Sequence, residues 1–136
     1  MQQKTNFIII DDSKEDCYLI KKRLQTISKN FNIKSFLSAQ EAYDHINKTV
    51  PDTIGDPTKN IIILDIYMPL MDGFEFVETF ETLPKNIQDN YLICALTSSI
   101  SKSYVDKIST YKSVKYFLEK PIKTESLLDL IASEAK

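Results

Sequence analysis

Short apolar runs alternate along the chain with segments in which apolar residues recur every three or four positions. The runs have the length of strands and lie at residues 7–10, 61–64, 91–96 and 114–118, and a further predicted strand lies at residues 31–36. The segments with helical spacing lie at residues 14–28, 38–47, 74–80, 102–111 and 124–135. Ser13 is a predicted helix start, Asn30 a predicted helix stop and Thr124 the predicted cap of the last helix.

This alternation predicts a parallel sheet covered by helices on both faces. Because right-handed crossovers leave few possible topologies, we predict an α/β fold with strand order 2-1-3-4-5 and five flanking helices. Residues 31–36 alternate apolar with polar side chains, which is typical of an edge strand. Residues 49–59 contain two prolines and one glycine and form a predicted loop. We predict one domain over the 136 residues.

Composition and charge exclude several classes of protein. The chain is 43% hydrophobic and 26% charged, which is ordinary for a globular protein. Its net charge is −2 with acids and bases mixed, whereas a nucleic-acid binder would show a basic face. The apolar runs are too short for a membrane span or a signal peptide, so the predicted location is the cytoplasm.

Cysteine and histidine usage argues against a disulfide or zinc site. Cys17 and Cys94 stand among apolar neighbours without metal-ligand spacing, and we predict that both are buried reduced thiols. The single histidine, His45, has no companion cluster and is predicted to be an ordinary helix residue.

Polar residues follow four of the predicted strands, and they are Asp11, Asp12, Asp65, Thr97 and Lys120. In sheets of this kind, ligands bind at the carboxyl ends of the strands. Three carboxylates in one small volume repel one another unless a divalent cation such as Mg²⁺ binds them. A lysine and a hydroxyl opposite them suit a phosphorylated carboxylate.

Each of these residues also has a simpler interpretation. The first helix could simply be capped by Asp11, Asp12 and Ser13, without any functional role for them, since acids are stabilised near a helix N-terminus. Asp65 alone could be a loop residue after a strand, and Thr97 or Lys120 alone indicates nothing. Their coincidence at four strand ends favours a functional site.

The chain resembles the receiver domain of two-component response regulators over essentially its whole length. The motifs that carry the resemblance are FIIIDDS, LDIYMPLMDG, ALTSS and FLEKPI, and DxxMPxMDG is the most specific of them. The resemblance implies a flavodoxin-like (CheY-like), doubly wound fold. It also implies a stand-alone receiver domain over residues 1–136 with no output domain.

The resemblance assigns a role to each strand-end residue. Asp65 would be the phosphoacceptor and would form the catalytic set with Thr97 and Lys120. The implied cofactor is Mg²⁺, with ligands from Asp11, Asp12, Asp65 and the carbonyl of Tyr67. The implied switch residues are Thr97, Ser98 and Phe117. The resemblance further implies a cis bond before Pro121 and a positive φ angle at Gly73.

The implied function is a phosphorelay switch rather than an enzyme, since the chain would catalyse only its own phosphoryl transfer and autodephosphorylation. A sensor histidine kinase or phosphotransfer protein would phosphorylate Asp65. An unidentified downstream protein would bind the face made by the fourth predicted helix, the fifth strand and the fifth predicted helix. The candidate residues on that face are Tyr104, Lys107, Tyr111 and Lys115, with the two tyrosines favoured as core.

The chain departs from the family pattern at three places. Lys112-Ser113 replaces the common Gly-Ala pair before the fifth strand, so this loop is expected to be built differently. Phe117 replaces the commoner tyrosine, and the loop over residues 49–59 is longer than a receiver needs.

Three other functions are alternatives to this one. A receiver-fold scaffold that works without phosphorylation stays open, although such proteins usually lose an acid or the lysine. A magnesium-dependent phosphatase usually has a second aspartate at the position of Tyr67. A dinucleotide-binding protein needs a glycine-rich turn after the first strand, where this chain has paired acids.

Overall fold

The fold is built on a parallel sheet of five strands in the order β2-β1-β3-β4-β5. The computed structural model describes residues 5–48, 59–66, 68, 71–97 and 102–134. The strands are β1 (Thr5–Ile10), β2 (Asn32–Phe36), β3 (Lys59–Asp65), β4 (Tyr91–Thr97) and β5 (Val114–Glu119). The predicted strand order is confirmed, and β2 is the predicted edge strand.

Helices cover both faces of this sheet. They are α1 (Lys14–Ile27), α2 (Ala39–Lys48), α3 (Gly73–Phe80), α4 (Lys85–Gln88), α5 (Lys102–Ile108) and α6 (Thr124–Glu134). All five predicted helices are present. The additional helix α4 is a single turn of four residues after Pro84, which is too short to show a helical repeat in the sequence.

Helix boundaries agree with the predictions at some ends and not at others. Ser13 is the N-cap of α1, because its hydroxyl accepts a hydrogen bond from the backbone N–H of Asp16 at 3.2 Å. The predicted stop at Asn30 is wrong by two residues, because Ser28 caps the helix through its N–H to the carbonyl of Leu24. Helix α5 ends three residues before the predicted end, and Thr124 is the first residue of α6.

The core consists of two layers, one on each face of the sheet. Alternate residues of β1 and β3 point to opposite faces, so Ile8 and Ile62 lie in one layer and Phe7 and Ile61 in the other. The first layer packs under α2, α3 and α5, and the second packs under α1 and α6. The central strands β1 and β3 are therefore apolar on both sides, as expected of a parallel sheet with helices on each face.

The cysteines and the histidine have the predicted environments. Cys17 and Cys94 are free and buried. His45 lies on α2 with its ring 5.2 Å from that of Phe36, and burial followed by the charge of Lys34 lowers its pKa. Of the predicted loop at residues 49–59, only Lys59 lies within the described residues, where it begins β3.

Candidate functional site

The register of the strands brings the predicted site residues to one edge of the sheet. Ile10 of β1 pairs with Leu64 of β3, so Asp11 and Asp65 follow residues that lie side by side. Thr97 ends β4, and Lys120 follows β5 directly. The backbone N–H of Lys120 donates to the carbonyl oxygen of Thr97 at 2.8 Å, which joins the ends of these two strands.

Three carboxylates meet at this edge. Asp11, Asp12 and Asp65 each offer an oxygen atom, and these oxygens lie within 4.8 Å of one another. Asp11 and Asp65 are buried, with 0% and 4% of their surface exposed, whereas Asp12 is exposed. The cluster is thus closed on the protein side and open to solvent at Asp12.

Local hydrogen bonds orient Asp11 within the cluster. Its backbone N–H donates to the carbonyl of Phe36 at 3.1 Å, and its Oδ1 accepts from the N–H of Ser13 at 3.0 Å. The Cys17 thiol donates to its carbonyl oxygen at 3.4 Å. Burial, together with the charges of Asp11 and then Asp16, raises the pKa of the Cys17 thiol to about 11.

Lys120 places its ammonium group among carboxylates from three segments of the chain. Its Nζ lies 2.8 Å from Asp11 Oδ2, 2.8 Å from Asp16 Oδ2 and 3.5 Å from Asp65 Oδ2. Burial lowers the pKa of Lys120, but the close contacts with Asp11 and Asp16 and the charge of Asp65 outweigh burial and raise it. Lys120 is therefore firmly cationic in the folded protein.

The donor set fits a magnesium ion. Mg²⁺ prefers oxygen ligands and is usually held by one or two carboxylates together with water. Asp11 Oδ2 is buried and contacts the Lys120 ammonium but completes no well-directed hydrogen bond with the described residues. A cation would satisfy such an oxygen and would offset the repulsion between the three carboxylates.

The segment after Asp65 depends on a close backbone approach at Gly73. A Cβ atom at Gly73 would lie 2.6 Å from the Cα of Ile66 and 3.0 Å from the carbonyl oxygen of Asp65. The N–H of Gly73 donates to the carbonyl of Ile66 at 2.8 Å, and Asp72 caps α3 through the N–H of Glu75. The predicted positive φ angle at Gly73 is wrong, because Gly73 is the first residue of α3 and its φ lies outside the left-handed region. A glycine is required here by the lack of space.

The structure describes only some of the remaining predicted residues. Thr97 is buried at the end of β4, with 4% of its surface exposed. Phe117 is 37% exposed on β5, where it pairs with Ala95. The bond between Lys120 and Pro121 is cis, as the resemblance implies. Tyr67, Ser98 and the side chain of Tyr104 lie outside the described residues.

Two features of the site region were missed by sequence reasoning. Asp16 contacts Lys120, although the only signal in the sequence was its place three residues after the cap Ser13. Glu81, just after α3, accepts hydrogen bonds on Oε2 from the N–H and the hydroxyl of Ser113, at 3.0 and 2.6 Å. The Glu81 side chain therefore connects the loop at Lys112-Ser113 to the end of α3 through two hydrogen bonds.

On the predicted output face, Lys107 and Lys115 are exposed and Tyr111 packs partly buried against the core. The Lys107 ammonium lies 4.3 Å from the ring centre of Phe74, which extends this face to the start of α3.

Comparison with known proteins identifies the family. Residues 7–132 match the response regulator receiver domain. The chain belongs to this family. Receiver domains are signalling proteins of two-component phosphorelays rather than conventional enzymes, they bind Mg²⁺ in an acidic pocket, and they interact with histidine kinases or phosphotransfer proteins.

Individual relatives agree with this family. The chain is 28% identical over 131 residues to the hybrid signal transduction histidine kinase L of Dictyostelium discoideum. The aligned region covers 95% of this chain but only 7% of that protein. A response regulator receiver protein from Dyadobacter fermentans superposes with a TM-score of 0.82 at 26% identity, covering 95% of this chain and 96% of the other. The chemotaxis protein CheY4 of Vibrio cholerae has the same fold, with a TM-score of 0.76 at 23% identity and coverage of 96% and 98%.

Among the helices that the structure describes, none is long and apolar enough to cross a membrane.

Proposed function

We propose that this receiver domain is a phosphorylation switch in which Asp65 accepts a phosphoryl group in a Mg²⁺-dependent reaction. The observation that carries the proposal is the environment of Asp65. This buried carboxylate lies at a strand end, in a cluster with Asp11 and Asp12, and 3.5 Å from the cationic nitrogen of Lys120. A buried carboxylate next to a fixed cation is suited to act as a nucleophile and to carry the product.

In the proposed reaction, a carboxylate oxygen of Asp65 attacks the phosphorus atom of a phosphohistidine on a sensor kinase or phosphotransfer protein. The phosphorus–oxygen bond forms as the phosphorus–nitrogen bond breaks, and the imidazole leaves with the electron pair. Lys120 would pair with a phosphoryl oxygen, and the Thr97 hydroxyl would donate to another. Mg²⁺, held by Asp11, Asp12, Asp65 and the Tyr67 carbonyl, would offset the negative charge of the phosphoryl oxygens.

The signal would leave the site through the strands that carry Thr97 and Lys120. The added charge would draw both side chains toward Asp65, and Ser98 and Phe117 would change position with the end of β4. The face made by α5, β5 and α6 is the proposed surface for a downstream protein. Lys107 and Lys115 are exposed there and are the proposed contact residues.

The test is to incubate the protein with acetyl phosphate and Mg²⁺ and to measure its intact mass. The expected result is a single phosphoryl adduct that disappears when a chelator is added. Borohydride reduction of the adduct followed by peptide mapping would place it at Asp65. The Asp65→Asn variant should gain no adduct.

The matched control is Asp72→Asn, because Asp72 is a neighbouring carboxylate whose role is to cap α3 and asparagine caps equally well. This variant should be phosphorylated like the wild type. An adduct on Asp65→Asn, or none on fresh wild-type protein that also fails to bind Mg²⁺, would contradict the proposal and favour the scaffold function.

A further inference from the structure

Lys120 has an ion-pair partner that stands outside the cluster of three carboxylates. Asp16 Oδ2 lies 2.8 Å from Lys120 Nζ, as close as Asp11 Oδ2, whereas Asp65 Oδ2 is 3.5 Å away. Charge-assisted hydrogen bonds between nitrogen and oxygen are normally about 2.7–2.9 Å long. The ammonium thus donates a hydrogen bond to Asp16, forms a close ion pair with Asp11 and lies farther from Asp65, at 3.5 Å.

The first turn of α1 fixes the position of Asp16. Ser13 caps this helix, and its hydroxyl accepts a hydrogen bond from the backbone N–H of Asp16 at 3.2 Å. The N–H of Cys17 donates to the carbonyl of Ser13 at 3.1 Å. These bonds fix the backbone at Asp16, and its carboxylate contacts Lys120 from the first turn of the helix.

Among the described residues, the three carboxylate partners of Lys120 differ in their exposure to solvent. The side chain of Asp16 is 38% exposed, that of Lys120 is 17% exposed, and those of Asp11 and Asp65 are 1% and 5% exposed. Asp16 therefore binds the ammonium from the solvent side, and the buried acids bind it from within. Movement of the Lys120 ammonium toward Asp65 would lengthen and weaken its ion pair with Asp16.

We propose that Asp16 is a positioning residue that holds the Lys120 ammonium back from Asp65 and so opposes the phosphorylated state. A phosphoryl group brings about 1.5 to 2 negative charges to Asp65. Lys120 then moves toward Asp65 and weakens its bond to Asp16. This inference rests on the proposed function, and it identifies Asp16 as a residue that lowers the affinity of the site for a phosphoryl group.

The test measures the affinity for beryllofluoride, which coordinates a carboxylate oxygen and mimics a phosphoryl group without turning over. Isothermal titration in excess Mg²⁺ would compare the wild type with Asp16→Asn. Removing a partly exposed, charge-assisted bond should tighten binding by about threefold to tenfold. Asp16→Glu, which keeps the charge, should return the affinity to within about twofold of the wild type.

The matched control is Glu15→Gln. Glu15 carries the same charge one residue earlier in α1, is exposed, and is not among the three carboxylates that Lys120 contacts. Its removal should leave the affinity unchanged within about twofold, because an exposed charge is screened by solvent. Thermal unfolding of both variants separates a change in affinity from a change in the stability of α1.

The outcomes distinguish this inference from the proposed function. Equal affinities for the wild type and Asp16→Asn, weaker binding by Asp16→Asn, or equal tightening by Glu15→Gln would each overturn the role of Asp16 alone. An absence of beryllofluoride binding by the wild type would overturn the proposed function and this inference together.

Discussion

The backbone N–H of Lys120 donates a hydrogen bond to the carbonyl oxygen of Thr97, with 2.8 Å between the two atoms. This bond joins the backbone at the ends of β4 and β5, which carry the Thr97 and Lys120 side chains of the proposed catalytic set. A second bond, from the N–H of Ile66 to the carbonyl of Leu96 at 3.1 Å, extends this backbone connection to the end of β3. Because these bonds join backbone atoms, we expect substitutions of the Thr97 and Lys120 side chains to change the chemistry of the site more than its geometry.

Replacing Lys120 with methionine should destabilise the protein when Mg²⁺ is absent. The change removes the ammonium that lies 2.8 Å from Asp11 and 3.5 Å from Asp65, and both carboxylates are buried. We expect a loss of about 1–3 kcal/mol in the free energy of unfolding, less than for a fully buried pair because Lys120 reaches solvent. Urea unfolding with and without Mg²⁺ measures the loss, which Mg²⁺ should partly restore. Lys115→Met, at an exposed position of β5, is the control. An equal loss in both variants would contradict the argument.

Gly73→Ala should destabilise the protein even though alanine favours a helix. The helical preference is worth up to about 1 kcal/mol. The new Cβ would lie 2.6 Å from the Cα of Ile66, and backbone cannot move aside as a flexible side chain can. Overpacking of this kind typically costs about 1–3 kcal/mol, so the clash outweighs the preference. Chemical unfolding measures the difference, with the exposed Glu75→Ala in the same helix as the control. A stability equal to or above that of the wild type would contradict this prediction and show that the backbone at Ile66 can shift to accommodate the new Cβ.

The stability of the fold should decrease at alkaline pH because of Cys94. Burial raises the pKa of its thiol from 9.0 to about 12. Below pH 9 the thiol is protonated in both the folded and the unfolded chain. Between pH 9 and about 12 only the unfolded chain loses the proton, so stability falls as pH rises. The slope from this group is at most about 1.4 kcal/mol per pH unit. Urea unfolding at pH values on both sides of 9 should give a shallower decline for Cys94→Ala than for the wild type. Parallel declines would mean that other groups cause the effect.

Glu81→Ala should weaken the connection between α3 and the loop before β5. It removes the acceptor for the N–H and the hydroxyl of Ser113, which are bonded at 3.0 and 2.6 Å. Because the site is partly exposed, water can replace the acceptor, and we expect a loss of about 0.5–1.5 kcal/mol. Ser113→Ala, which keeps the N–H, should lose less. Glu119→Ala, at an exposed residue of β5, serves as the control for removal of a glutamate, and thermal unfolding would rank the three variants.

Much of the fold follows from local sequence patterns. The continuous apolar runs of β1 and β3 identify strands buried on both faces, and the spacing of Cys17, Ile20 and Leu24 identifies the buried side of α1. Helix α4 was missed, because a single turn contains too few residues to repeat. The early end of α5 was missed as well, because apolar spacing continues to Tyr111, which packs on the core from a turn.

Some residues of the candidate site could likewise be predicted from the sequence, whereas other contacts could not. Asp11, Asp65 and Lys120 could be predicted because each lies at or next to the end of a predicted strand, and strand ends meet at one edge of a parallel sheet. The contact of Asp16 with Lys120 joins residues 104 positions apart, and no local pattern indicates it. The constraint at Gly73 was attributed to a backbone angle, whereas its cause is the nearby backbone of Ile66.

The sequence by itself therefore determined which segments form strands and helices and which polar residues follow the strands. The physical reason is that buried side chains recur about every 3.6 residues in a helix and every 2 residues in a strand, so a short stretch of sequence shows which element it forms. Only the tertiary structure decided how the Lys120 ammonium is shared among Asp11, Asp16 and Asp65, and why position 73 must be glycine. The sharing of the ammonium depends on distances of 2.8 and 3.5 Å between atoms of distant segments, and the constraint at position 73 depends on the approach of the Ile66 backbone. Both are fixed when the helices pack against the sheet.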